Sequence, residues 1–160
     1  FEKADEKAGN SLLYSMVMGN YTFGSRITGI NDMPINDKLF ILQSDIIKSA
    51  ADKGPCVIIG RCGDYILREY DNVFRVFIHA NKEARIKRIL SKGLCDEKKV
   101  SDFITKRDKQ RANYYNFYSN KRWDDLSNYH LTIDSSEFDI DEVAEIIITA
   151  IGKIKPPAKK

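Results

Sequence analysis

Three short, continuous apolar runs constrain this chain more than any other feature. They span residues 56–59, 73–79 and 129–133. Continuous rather than alternating apolarity is typical of strands that are buried on both faces, as in parallel sheets. Because segments with helical spacing separate the runs, the sequence predicts an α/β fold with one parallel sheet. Ligands of such sheets bind beyond the carboxyl ends of the strands, so the residues after each run are candidate site residues.

The helical segments between and around the runs carry apolar residues at steps of three or four. They cover residues 4–18, 36–50, 82–90, 100–118 and 140–151. Asn36 and Asn81 are suitable N-caps, and Asp139 with Glu142 has capping-box spacing. Gly54 followed by proline is expected to end the helix over 36–50.

The composition is that of an ordinary globular chain. Of 160 residues, 42% are hydrophobic and 31% are charged, and the net charge is +3, which fits one domain and an anionic partner. We expect this domain over residues 1–152, a frayed tail over 153–160 and a mobile loop over 19–34. The three cysteines lack metal-ligand spacing, which indicates reduced thiols. We expect a cytoplasmic protein because the sequence has neither a membrane-length apolar run nor a signal-peptide pattern.

The residues after the first run are the first candidate site. Arg61 follows that run and a glycine, so its guanidinium is expected to face the crevice, where it suits a phosphate or carboxylate. A surface salt bridge is an equally good interpretation of Arg61. Asp64 begins the next helix, and N-capping explains it at least as well as ligand contact.

Two arginines interrupt an apolar and aromatic stripe on the helix over 100–118. The stripe comprises Val100, Phe103, Ile104, Arg107, Arg111, Tyr114 and Tyr118. Two like charges on a core face are costly unless an anion meets them, which favours a polyphosphate clamp. The alternative is a pair of internal salt bridges, for instance with Asp108 or Asp64.

Other polar and aromatic residues give weaker signals. Arg85 and Arg88 share one helix face, which is usually a solvated face but here begins at the crevice edge. The aromatic residues over 114–123 could stack on bases, although core packing is the preferred interpretation. The sequence contains neither a G-x-x-x-x-G-K-[ST] nor a G-x-G-x-x-G phosphate loop.

The order of these segments resembles the cytidylate kinase-like family of P-loop nucleoside monophosphate kinases. The carrying segments are V-I-I-G-R-C-G-D-Y-I-L over 57–67, F-I-H-A followed by E-A-R-I-K-R over 77–88, K-R-D-K-Q-R over 106–111, and L-T-I-D-S-S with I-D-E-V over 131–143. The resemblance implies a five-stranded parallel sheet of order 2-3-1-4-5 with a small helical lid over 91–104. It also implies that the first two strands and the phosphate loop lie upstream of Phe1.

By the same resemblance, the chain transfers the γ-phosphate of ATP, bound with Mg²⁺, to a nucleoside monophosphate such as CMP or dCMP. The catalytic residues are then Arg107 and Arg111. The resemblance assigns the substrate-binding residues as Arg61, Asp64, Gln43 and Asp108, and the ATP-binding residues as Arg88 and Arg85. It implies no protein-bound metal and no membrane or nucleic-acid partner, and it leaves the oligomeric state unknown.

Two departures from the family pattern affect the acceptor. Classical members place Asp directly after the arginine of the G-R motif, whereas Cys62 follows it here. The arginines that flank the family's glutamine are Leu42 and Ser44 in this chain. A non-catalytic nucleotide-binding or regulatory module is therefore the alternative. An RNA-binding module is less favoured, since the basic residues do not gather into one run.

Overall fold

The computed structural model describes residues 35–154, and the chain divides into two compact units between Ile59 and Gly60. The helices predicted over 4–18, the loop over 19–34 and the end of the tail lie outside the described residues. The described helices are α1 (Ile35–Lys53), α2 (Gly63–Ile66), α3 (Lys82–Ser91), α4 (Val100–Ser119) and α5 (Ile140–Lys153). The strands are β1 (Val76–His79) and β2 (Leu131–Asp134), and short 3-10 turns cover Glu97–Lys99 and Leu126–Asn128.

Helix α1 is the main described element of the first unit. It begins at Ile35, one residue before the predicted cap Asn36, and Asp37 in its first turn complements the helix dipole. Gln43 and Ile47 are its buried residues. The helix ends where predicted, since Gly54 takes a φ of 141° that other residues rarely adopt.

The prediction of a strand over 56–59 is wrong for the described structure. Residues 55–59 belong to no strand, and Val57 and Ile59 are 91% and 89% exposed. A strand requires a neighbour that accepts its backbone hydrogen bonds. Within residues 35–154 this segment pairs with no such neighbour, so its apolar composition alone does not produce a strand.

The second unit contains the sheet, a parallel pair of β1 and β2. Val76 pairs with Leu131 at one end and His79 with Asp134 at the other. This confirms two of the three predicted strands and their parallel direction, although each is shorter than its apolar run. The parallel arrangement is possible because α3 and α4 supply the long connection that such a pair needs.

The caps of α3 and α5 follow the predictions. Asn81 Oδ1 accepts a hydrogen bond from the Ala84 backbone N–H at 2.8 Å. Asp139 and Glu142 form a complete capping box at the start of α5. Each cap satisfies backbone donors that a helix leaves unpaired at its first turn.

The core of the second unit lies between the loop before β1, helix α4, the sheet and α5. Its buried apolar residues are Cys62, Ile66, Leu67, Val100, Ile104, Tyr115, Ile133 and Val143. Phe77 adds an aromatic cluster, with its ring centroid 5.4 Å from Trp123 and 4.9 Å from Tyr129. Among residues 35–154, no helix is long and apolar enough to cross a membrane.

Candidate functional site

The turn after residue 59 has an unusual backbone. Gly60, Arg61 and Cys62 have φ angles of 69°, 54° and 55°, all in the left-handed region. This conformation costs roughly 1–2 kcal/mol for each residue that carries a Cβ. Hydrogen bonds from the Gly63 N–H to the Gly60 carbonyl and from the Ile66 N–H to the Cys62 carbonyl hold the turn. Strain of this kind concentrates at binding and catalytic sites.

The turn carries the first predicted anion-binding residue, Arg61. Its guanidinium carbon lies 5.7 Å from the centroid of the Tyr114 ring on α4. Arg61 is half-buried, and a cation over an aromatic face is electrostatically favourable. The contact holds the guanidinium against α4.

Asp64 is tied to the same helix. The Tyr115 hydroxyl donates a hydrogen bond to Asp64 Oδ2 at 2.6 Å. The N-cap position of α2 is Cys62, which makes no side-chain capping bond, so the N-cap interpretation of Asp64 is wrong and the residue lies in the first turn. Burial of Tyr115, then its bond to Asp64, raises the pKa of the phenol, which stays protonated as a donor.

Cys62 lies buried beneath the turn, with 3% of its surface exposed. Burial, reinforced by the negative charge of Asp64, raises the pKa of its thiol to about 12. The thiolate is the nucleophilic form, so this thiol is inert near neutral pH. Its contribution is to fill space under the turn.

Helix α4 buries or half-buries every residue of the predicted stripe except Arg111. Its buried residues are Val100, Ile104, Tyr115 and Ser119. Arg107 is half-buried and Arg111 is exposed, so the interpretation of two arginines on a core face is wrong for Arg111. The guanidinium carbon of Arg107 lies 5.3 Å from the Phe103 ring centroid.

Arg85 and Asp108 form a two-pronged ion pair between α3 and α4. Arg85 Nη1 and Nη2 each lie 2.7 Å from one oxygen of the Asp108 carboxylate. Arg111 Nη1 lies 3.6 Å from the same carboxylate. The hydrogen bond to Asp108 raises the pKa of Arg85. The sequence thus correctly named Asp108 as a salt-bridge partner of Arg111 but did not pair it with Arg85.

Arg88, one helical turn after Arg85, faces the carboxyl ends of the strands. Its Nη2 lies 3.4 Å from the backbone carbonyl of Ser135. Ser135 is buried, and its hydroxyl donates to the His79 carbonyl at 2.9 Å. At the same edge, the backbone N–H and the hydroxyl of Ser136 donate hydrogen bonds to the Asp134 carboxylate, and these bonds lower the pKa of Asp134.

The structure therefore brings the predicted residues of the second unit onto α4 and α3 in three groups. Arg61 and Asp64 contact Tyr114 and Tyr115, Arg85 and Arg111 contact Asp108, and Arg88 contacts the Ser135 loop. Asp108 and Tyr115 are seven residues apart, which is about 10 Å along a helix axis. Gln43 belongs to the first unit, where it is buried on α1.

The sequence placed Tyr115 and Ser135 among its weaker candidates but did not predict their polar contacts. The aromatic run over 114–118 was interpreted as core packing, which holds for Tyr115, since it is 5% exposed. It fails for Phe117, which is 74% exposed. A buried tyrosine needs a partner for its hydroxyl, and that requirement was the available signal for a polar contact at Tyr115.

Comparison with known proteins decides the family of this chain. The model of the cytidylate kinase-like family matches residues 1–137. The chain belongs to the cytidylate kinase-like family. This confirms the resemblance carried by the G-R-C and R-D segments.

Two cytidylate kinases are similar to this chain at modest sequence identity. A cytidylate kinase from Methanosarcina barkeri is 31% identical over 106 residues, covering 63% of this chain and 57% of that protein. A cytidylate kinase from Methanoculleus marisnigri is 26% identical over 122 residues, covering 76% of this chain and 65% of that protein. The chain thus spans less than two thirds of the length of these two relatives.

A solved structure shares the fold. It is an uncharacterized protein from Eubacterium ventriosum, similar to this chain with a TM-score of 0.70 and 31% identity. The match covers 74% of this chain and 75% of that one.

Proposed function

We propose that this chain is part of an enzyme that transfers the γ-phosphoryl group of ATP to a nucleoside monophosphate, with CMP or dCMP as the acceptor. Family membership supports a nucleotide kinase. The cytosine preference is taken from the names of the two relatives, both cytidylate kinases. The departures at Cys62, Leu42 and Ser44 are the positions at which this preference is most open to change.

The observation that carries the proposal is the gathering of arginines around α4. Helix α4 itself carries Arg107 and Arg111. Arg61 contacts Tyr114 on this helix, and Arg85 on α3 binds Asp108 on it. Phosphoryl transfer needs positioning and charge neutralisation more than covalent chemistry, and guanidinium groups supply both.

The proposed roles follow the positions of these residues. Arg107 and Arg111 neutralise the transferring phosphoryl group as the lid over 91–104 closes and excludes water. Arg88, at the carboxyl end of the strands, holds ATP. Arg85 is engaged by Asp108, which favours a positioning role over the expected contact with ATP.

The acceptor side is assigned to the strained turn. Arg61 contacts the acceptor phosphate, with Asp64, Asp108 and Gln43 as the further acceptor-binding residues. The left-handed backbone of Arg61 and Cys62 supports a binding site here. Strained conformations of this kind persist only where surrounding contacts hold them, and they cluster at active and ligand-binding sites.

The complete sheet is proposed to have the order 2-3-1-4-5, with further strands beyond the two that residues 35–154 supply. Parallel sheets are normally covered on both faces and contain more than two strands. In the described residues the sheet has two strands, and Val57, Ile59 and Ile78 are 91%, 89% and 51% exposed. Additional strands would supply the hydrogen-bonding neighbours that β1 and β2 lack within the described residues.

Magnesium is proposed to arrive with ATP. Among residues 35–154, no three His, Cys, Asp or Glu side chains form a group that could hold a metal ion. Mg²⁺ is commonly held by substrate phosphates, water and one or two carboxylates, so it fits as part of the substrate. Its contribution is to neutralise phosphate charge.

The test is acceptor-dependent formation of ADP by the full-length protein. ATP with Mg²⁺ is supplied with each common nucleoside monophosphate in turn, and we expect the fastest turnover with CMP or dCMP. The Arg111→Ala variant, purified in parallel, controls for a contaminating kinase. If no acceptor increases ADP formation but calorimetry detects nucleotide binding, the chain is a binding or regulatory module instead.

A further inference from the structure

The bond between Tyr115 and Asp64 joins two parts of the proposed site. Tyr115 is 5% exposed on α4, and its hydroxyl lies 2.6 Å from Asp64 Oδ2. Asp64 follows directly on the left-handed turn that carries Arg61. Within residues 35–154, the structure gives the Asp64 carboxylate no ion pair, so this hydrogen bond is its main fixed contact.

Two further groups near Asp64, Cys62 and Tyr129, are protonated and neutral. Burial and the charge of Asp64 raise the pKa of the Cys62 thiol to about 12, and the same two causes raise the pKa of Tyr129 to about 12. The Tyr129 hydroxyl, however, donates to the Trp123 carbonyl at 2.9 Å. Tyr115 is therefore the phenol that orients the carboxylate, and Tyr129 is a phenol of similar environment that does not.

Neighbouring contacts reinforce the connection. Arg61 lies over the ring of Tyr114, the residue next to Tyr115. The turn and its two polar side chains are thus held by two successive residues of α4. Because α4 also carries Arg107 and Arg111, the position of the turn is fixed relative to those arginines.

We propose that Tyr115 is a positioning residue for acceptor binding, which rests on the proposed kinase function. Its hydroxyl fixes the Asp64 carboxylate and keeps the strained Gly60–Arg61–Cys62 turn closed against α4. Without the hydroxyl, the carboxylate loses its fixed orientation and the strain of the turn is no longer opposed by that bond. The acceptor must then order the turn and the Asp64 side chain when it binds, which weakens its binding. The ATP-binding residues on α3 are unaffected.

The test compares Tyr115→Phe with Tyr129→Phe in the full-length protein. Each variant removes one hydrogen-bonded phenol hydroxyl and keeps the ring. We expect Tyr115→Phe to raise the KM for the acceptor by roughly tenfold to a hundredfold, the effect expected of losing a hydrogen bond to a charged group. The KM for ATP should stay within about twofold in both variants, and Tyr129→Phe should leave the acceptor KM unchanged.

A second readout needs no activity. The Cys62 side chain is buried in the closed turn, so iodoacetamide should reach its thiol only when the turn opens. The extent of alkylation, measured by mass spectrometry of the Cys62 peptide, therefore reports opening of the turn. We expect labelling of Cys62 to be roughly tenfold or more faster in Tyr115→Phe than in Tyr129→Phe, since an opened turn exposes the thiol and returns its pKa toward about 8.5. Asp64→Asn keeps an oxygen that accepts the hydroxyl, so its labelling should remain slow.

The outcomes separate this role from the kinase proposal. Equal Cys62 labelling in the two tyrosine variants overturns the role of the hydroxyl whether or not the protein is a kinase. If Cys62 is labelled faster in Tyr115→Phe but the acceptor KM is unchanged, the hydroxyl only stabilises the turn, and the positioning role is overturned. If the wild-type protein transfers phosphate to no acceptor, the kinase function and the positioning role are both rejected, while labelling still shows whether the hydroxyl closes the turn.

Discussion

Arg85 on α3 and Asp108 on α4 meet through two hydrogen bonds of equal length, with each guanidinium nitrogen 2.7 Å from its own carboxylate oxygen. Both side chains are 30% exposed. Their bond joins the helix that follows β1 to the helix that carries the candidate catalytic arginines. The pair therefore determines how Arg107 and Arg111 are presented.

Replacing the guanidinium group of Arg85 by the ammonium group of lysine should weaken the ion pair between α3 and α4. We expect Arg85→Lys to lower the free energy of unfolding by about 1–2 kcal/mol, because lysine cannot make the bidentate contact. Arg122→Lys is the matched control. Arg122 makes the same two-pronged contact with Asp124, but their side chains are 76% and 65% exposed, so no measurable change is expected. Urea unfolding of both variants checks this, and equal losses would contradict it.

Removal of Arg111 should affect turnover far more than folding. Its side chain is 48% exposed and 3.6 Å from Asp108, so an exposed ion pair of little energetic value is lost. The Arg111→Ala variant should nevertheless turn over roughly a hundredfold more slowly, as for other arginines that stabilise phosphoryl transfer. Lys109→Ala, an exposed cation on the same helix, should keep normal turnover.

Melting temperature and kcat are measured on the same preparations of Arg111→Ala. A variant that melts much earlier but retains full turnover per folded molecule would show that Arg111 has a structural role.

Arg88 should act on ATP rather than on the acceptor. We expect Arg88→Ala to raise the KM for ATP by roughly tenfold or more, since a charge-assisted contact to phosphate is lost. The acceptor KM should remain close to that of the wild type. Lys87→Ala, an exposed cation on the same helix, controls for the loss of charge alone. A rise in the acceptor KM only would reverse the assignment of the two sides.

Stability should fall in mild acid because of His130. The Arg75 backbone N–H donates to His130 Nδ1 at 3.1 Å, and desolvation and the Arg75 charge lower the pKa of the imidazole. A histidine with a lowered folded-state pKa contributes stability above its unfolded pKa, about 6.5, and this is lost as the pH falls through the folded value. Urea unfolding between pH 7.5 and 5 should therefore show a decline.

The control for that decline is His130→Phe. Its ring can keep the stacking on Phe74, which has a centroid distance of 5.6 Å from His130, but it does not titrate. The decline between pH 7.5 and 5 should be smaller in this variant. The carboxylates with lowered pKa values, Asp124, Asp125 and Asp134, titrate below this window. An unchanged decline would assign the effect to another group.

Local patterns predicted the parts of the fold that depend on neighbouring residues. Continuous apolarity and the long helical connection identified β1 and β2 as parallel strands, and side-chain spacing identified the caps at Asn81 and Asp139. The segment over 56–59 has the same composition, but a strand also needs a neighbour. Composition carries no information about whether that neighbour is near.

Most of the contacts between the candidate site residues could not be predicted from the sequence. Along the 20 residues of α4 the buried residues are Val100, Ile104, Tyr115 and Ser119, whereas Arg111 is exposed. The pairs Arg85–Asp108 and Tyr115–Asp64 join residues 23 and 51 positions apart. Such pairings depend on tertiary packing, which a single sequence pattern does not encode.

The exposed apolar segment before the turn has a practical consequence for handling the protein. Val57 and Ile59 present β-branched side chains to solvent at 91% and 89% exposure, and Cys56 beside them is an exposed free thiol. A short exposed β-branched stretch of this kind favours association between molecules. A protein truncated to residues 35–154 should therefore aggregate and, without reductant, form intermolecular disulfides through Cys56. Biochemical experiments should therefore use a longer form of the protein and keep it under reducing conditions.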